Sequence, residues 1–171
     1  YAFASCENLK KIELPDTLKE LSTGLFLYTP IENITLPKSL KIMKEYCLSS
    51  TRLSSIEIPN SVENIEKNAF SNNEVLFSVS LPSFLKIIKK ETFSYCEKLK
   101  YVFLPSSLER IEENAFFACV DLNYKIEDGI KYLDEVIKTI RASKNKSDAK
   151  DNLERQEKEK QALEKENMLK L

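Results

Sequence analysis

The stretch "KLKYVFLPSSLERIEENAF", residues 98–116, decides the fold. Up to Leu104 its apolar residues alternate with others, the pattern of a short strand with one buried face. Pro105 ends that strand, because it brings no amide to a ladder. Beyond it Leu108 and Ile111 fall three apart, the spacing of a turn of 3₁₀- or α-helix, and Phe116 closes the unit.

The same phrase runs along most of the chain. An apolar residue precedes proline at Leu14-Pro15, Leu36-Pro37, Ile58-Pro59, Leu81-Pro82 and Leu104-Pro105, so the prolines stand 22, 22, 23 and 23 residues apart. Six before each stand Leu9, Ile31, Leu53, Leu76 and Leu99, and three before it Ile12, Ile34, Ile56, Val79 and Val102. Three after it come Leu18, Leu40, Val62, Leu85 and Leu108, six after it Leu21, Met43, Ile65, Ile88 and Ile111. Eleven after it come Phe26, Leu48, Phe70, Phe93 and Phe116. A unit this short cannot cover its own apolar side. Stacked copies can, with strand bonded to strand and each column becoming a ladder in one core.

These motifs, "NAFSNN" leading to "LFSVSLPSFLKI" and "ETFSYCEKLKYVFLPSSLERIEENAFFAC", resemble the BspA-like leucine-rich repeats over residues 2–122. The resemblance implies an α/β repeat solenoid, a right-handed coil with a parallel sheet on one face. It also implies a binding module rather than an enzyme, with adhesion at a cell surface the usual association. The family places glycine just after the isoleucine that follows proline; here Ser22, Lys44, Glu66, Lys89 and Glu112 hold that column, and a tighter, more regular helical side is expected.

Composition narrows the function. Of 171 residues 42% are hydrophobic, and 26 Lys plus Arg face 27 Asp plus Glu, so no charge excess recruits nucleic acid or an anionic membrane. No histidine occurs, which removes the commonest general base and metal ligand. Gly24 and Gly129 are the only glycines, too few for a phosphate loop. No catalytic residue, cofactor or metal is assigned. No apolar run is long enough to span a membrane, and "YAFASC" is no signal peptide. The compartment stays open: cell surface by resemblance, cytoplasm as the alternative.

Three segments are expected. Residues 1–125 form the solenoid, about five repeats, entered in mid-repeat with further repeats or a cap expected upstream. Ile130, Leu133, Val136, Ile137 and Ile140 make a stripe at helical spacing, so residues 129–141 read as an amphipathic helix capping the last rung, or as a weak self-association helix. Residues 143–171 are charged, with pairs four apart such as Asp151/Arg155 and Glu154/Lys158, and read as a helical or partly disordered tail or a weak coiled coil.

Cys6, Cys96 and Cys119 share a column, and Cys47 stands in another; small buried core residues are expected, with a metal site or a Cys96–Cys119 disulfide the competing readings. The sequons at Asn33 and Asn145 are of the kind that arise by accident in such a composition. A partner is expected on the outward positions of the strands. There Phe77, Tyr101 and Phe103 gather on adjacent rungs, with Lys100, Ser80 and Glu57 beside them. A protein or glycan ligand is implied; the competing reading is that the C-terminal segment covers these rings. An intracellular scaffold, joining repeats and charged tail, is the second function class.

Overall fold

In the computed structural model the described residues are 1–126 and, further on, 138, 140–142, 145, 146, 148–151, 153–155 and 157. The repeat sets the architecture. The segment before each proline supplies one strand of a parallel face: β1 (Lys11–Ile12), β3 (Asn33–Ile34), β5 (Ser55–Glu57), β7 (Ser78–Ser80) and β9 (Tyr101–Leu104). Alternation buries Ile56, Val79 and Val102 inward and leaves their neighbours toward solvent. Equivalent columns pair, Ser78 with Tyr101 and Ser80 with Phe103.

The apolar columns that carry the resemblance end at Leu122, yet the strand face continues: β11 (Asn123–Ile126) pairs with β9 over four residues, from Asn123↔Tyr101 to Ile126↔Leu104. Backbone pairing needs no apolar-Pro signature, so the strand outlives the motif.

After each proline the structure differs from the helical turn that the spacing suggested. The leucine amide returns to the proline carbonyl, as in Leu18 to Pro15 and Leu108 to Pro105, both 3.0 Å. A two-residue strand follows: β2 (Glu20–Leu21), β4 (Ile42–Met43), β6 (Asn64–Ile65), β8 (Ile87–Ile88) and β10 (Arg110–Ile111). A β-turn followed by a strand also sets Leu18 and Leu21 three apart on the buried side, so spacing alone could not tell the two. These strands build a second parallel ladder, β2-β4-β6 and then β8-β10.

A third ladder runs through the loop around each residue eleven after proline, Leu48 in one rung and phenylalanine in the others. Residues two before and two after it adopt left-handed backbone: Tyr46 and Ser50, Asn68 and Asn72, Glu91 and Tyr95, Asn114 and Ala118. Alternate amides therefore point along the solenoid axis. Glu91, Phe93 and Tyr95 donate to the carbonyls of Glu113, Ala115 and Phe117, while the amides between them close local turns, as Thr92 to Lys89 and Ser94 to Glu91. Every second amide joins rungs and every other one joins its own turn, so neither set is left unpaired.

Inside, the columns become one core cluster that runs from Leu21 to Cys119 and takes in Ile140. Phe70, Phe93 and Phe116 stack with centroids 5.4 and 5.5 Å apart and planes within 13°. The column given to glycine in the resembled family carries charge instead. Lys89 Nζ lies 2.8 Å from Glu66 Oε2 across one rung, and Lys41 pairs with Glu63 at 2.7 Å in a parallel column.

Candidate functional site

Strand alternation positions the proposed contact residues on one face. Glu57, Ser80 and Phe103 are register partners on three successive strands and all point to solvent. Tyr101, two residues before Phe103, points the same way, because Val102 between them is buried. Phe77 enters β7 one residue earlier, its amide donating to Ser54 and its carbonyl receiving the amides of Lys100 and Tyr101. That geometry brings the Phe77 and Tyr101 rings to 5.2 Å at 77°, edge to face. Lys100 Nζ lies 5.6 Å from the Tyr101 centroid. Phe77 and Phe103 keep 46% and 47% of their surface exposed.

The six residues therefore form one band. Phe77, Tyr101 and Lys100 touch or overlie one another, and Phe103, Ser80 and Glu57 continue it across the sheet. The contacts of the C-terminal segment defined among the described residues fall elsewhere: Ile140 joins the core cluster, and Lys146 and Lys150 reach Glu113, Tyr95 and Phe117. Exposed aromatics outside that band include Tyr28, at 63%, and Phe84. Phe84 is 76% exposed, two residues after Pro82, in a column held elsewhere by Thr17, Ser39, Ser61 and Ser107. Its departure from that hydroxyl column was the available signal.

At the other end of the same face, the first two rungs offer a shallow groove of about 800 Å³ lined by Lys11, Glu13, Asp16, Asn33, Thr35 and Lys38 among others. Its lining mixes these polar groups with Ile12, Leu14, Ile34, Leu36 and Pro37 and contains no aromatic ring.

The cysteines are free thiols. Cys96 and Cys119 each donate to the carbonyl of the aromatic one rung back, Phe70 at 3.2 Å and Phe93 at 3.1 Å. Burial pushes the Cys96 thiol up to about 12 and the Cys119 and Cys47 thiols up as well. A buried thiol that stays protonated is a poor nucleophile and metal ligand. Thr29 and Asn73 stand at the same place in their rungs: the Thr29 hydroxyl donates to Phe26, and Asn73 Nδ2 to Leu48 and Phe70, both 2.8 Å. Asn73 Oδ1 accepts from the Thr51 amide and hydroxyl at 2.7 and 2.6 Å.

Residues 1–135 match the model of the BspA type leucine rich repeat region, in six copies. The chain belongs to this family. Repeats of this family typically form non-catalytic binding modules, and the stacked parallel strands described above are their scaffold. Among solved structures, a leucine-rich repeat protein from Bacteroides ovatus is 29% identical, with a TM-score of 0.59 over 75% of this chain and 40% of that one. A T. pallidum leucine rich repeat protein shares the fold at 24% identity and a TM-score of 0.59, over 74% of this chain and 57% of that one. A leucine rich cell surface protein from Faecalibacterium prausnitzii aligns at 25% identity with a TM-score of 0.49, covering 74% of this chain and 43% of that one. This BspA type chain thus spans about half the length, or less, of the solved proteins it matches. No curated protein matches it.

Proposed function

We propose that this chain is a protein-recognition module that takes its partner on the strand face, with the aromatic band of Phe77, Tyr101 and Phe103 as anchor and Lys100, Ser80 and Glu57 as its polar edge. The observation that carries the reading is the exposure of Phe77 and Phe103 in one band with Tyr101 on a sheet whose other outward residues are polar. Aromatic side chains left in water at such density are more useful inside an interface than outside it. A protein partner suits the band better than a glycan. The Phe77 and Tyr101 rings meet edge to face, and Lys100 overlies Tyr101, so they offer a crevice for a side chain rather than a flat platform for a sugar ring. Cell-surface adhesion is the setting in which we place this recognition.

The test is a selection of phage-displayed peptides on the chain, read against Phe77→Ala/Tyr101→Ala/Phe103→Ala and alongside a glycan array. Selected peptides are expected to share an apolar anchor and to lose at least about thirtyfold in affinity on the triple variant, whose melting transition stays near the parent's. Peptides that bind both proteins alike would remove the band from the function; strong glycan binding lost in the triple variant would turn the ligand class around.

A further inference from the structure

A second juxtaposition lies on the loop ridge, away from the strand face. Tyr95 and Phe117, on consecutive rungs, hold their rings 5.3 Å apart at 76°. Lys150, a helical residue of the C-terminal segment, reaches that corner. Its Nζ donates to Tyr95 Oη at 3.0 Å and lies 5.2 Å from the Tyr95 centroid and 5.8 Å from that of Phe117. One helical turn earlier, Lys146 Nζ lies 3.3 Å from Glu113 Oε1. Residues four apart share one side of a helix, so both lysines face the ridge together. The Tyr95 hydroxyl, first of all, holds the Lys150 ammonium above its ordinary range, in its charged form.

The described residues from 145 to 157 are all exposed. Little apolar area holds them down, so the attachment rests on cations meeting rings and a carboxylate. Such contacts vanish when the charge does.

We propose that Tyr95, Phe117 and Glu113 are a reception site for a basic helix, filled here by the chain's own Lys146 and Lys150, and that this segment is a strap released when those two charges are neutralised.

Hydrogen exchange on the whole chain tests this, comparing the parent with Lys150→Arg, Lys150→Met and Lys146→Gln/Lys150→Gln. Arg, Met and Gln are all good helix formers, so intrinsic helicity is nearly unchanged. Amides of Leu48 and Phe70, bonded across rungs away from this ridge corner, serve as the internal control. Parent and Lys150→Arg are expected to match over residues 145–157, while the double Gln variant and Lys150→Met exchange there about tenfold faster. Unchanged protection in the double variant overturns the proposal. So does protection kept in Lys150→Met, since the aliphatic stem would then suffice. Protection that disappears on dilution of the parent would assign the lysines to a second copy and overturn attachment within one chain.

Discussion

At the scale of single residues, the column three after each aromatic does the polar work of the core. Its members Thr29, Asn73, Cys96 and Cys119 donate to aromatic-column carbonyls that the ladders leave over, and Asn73 additionally receives Thr51. Asn73→Ala strips the Leu48 carbonyl of its donor and the Thr51 amide of its acceptor, while the Phe70 carbonyl keeps the Cys96 thiol, and is expected to cost about 3 kcal/mol in urea unfolding. Asn73→Cys should cost clearly less, because a thiol there can donate as Cys96 does. Equal losses would show that volume, not the hydrogen bond, sets the position. The cysteines were legible as a column, but Thr29, Thr51 and Asn73 were not. From the column eleven after proline to the next inward residue the step is five in Phe26 to Ile31 and Leu48 to Leu53 but six in Phe70 to Leu76. Counting back from the following proline therefore splits the column, and only counting forward from the preceding one keeps Thr29, Thr51, Asn73, Cys96 and Cys119 together. The left-handed positions were half-legible: Gly24, Asn68 and Asn72 announce them, whereas Tyr46, Glu91 and Tyr95 carry no preference for that backbone.

At the scale of elements, the second ladder was invisible to periodicity, because pieces of two residues are too short to show a period. Its charges were readable all the same: Lys44, Glu66, Lys89 and Glu112 alternate in sign down one column. The hydrogen bond from Lys89, followed by the fields of Lys89 and Lys44, holds the Glu66 carboxyl below the ordinary range near 4.5. A lowered folded value means stability that is present above the unfolded value and lost as pH falls through the folded one. The parent should therefore exceed Glu66→Gln in stability by about 0.5–1 kcal/mol at neutral pH, with the two converging below about pH 4. Thermal unfolding of both proteins across that range measures it. A constant gap at all pH values would dismiss the ionic contribution of this pair.

At the scale of the whole molecule, the ladders break at different places. The strand face is interrupted between β3 and β5, and the second ladder between β6 and β8. The ridge bonds cross both gaps: Leu48 to Ala69 and Ser50 to Ser71 at the first, Asn68 to Lys90 and Phe70 to Thr92 at the second. No boundary between rungs is free of backbone bonds, so residues 1–126 should unfold as one unit although repeat arrays can separate. Urea transitions followed by circular dichroism and by hydrogen exchange at Ile34 and Val102 are expected to coincide. Distinct midpoints would divide the array at β3–β5. The solenoid and its strand face were legible because each rung repeats the same columns. Beyond Leu122 the columns fade, yet β11 still pairs with β9 through its backbone. Phe84 stands in a turn column after the proline, where the hydroxyl residues of the other rungs give no sign that an aromatic belongs on the surface.

The alternating signs on the second ladder carry a rule of parity. Removing the rung of Lys89 would set Glu66 beside Glu112, carboxylate against carboxylate, whereas removing two neighbouring rungs sets Lys44 beside Glu112. Lys41, Glu63, Lys86 and Glu109 obey the same arithmetic. Over the four rungs that carry these alternating signs, units can be lost or gained in pairs without electrostatic conflict and a slip of one unit is penalised along two lines at once; the first rung, where Lys19 repeats the sign of Lys41, stands outside the rule.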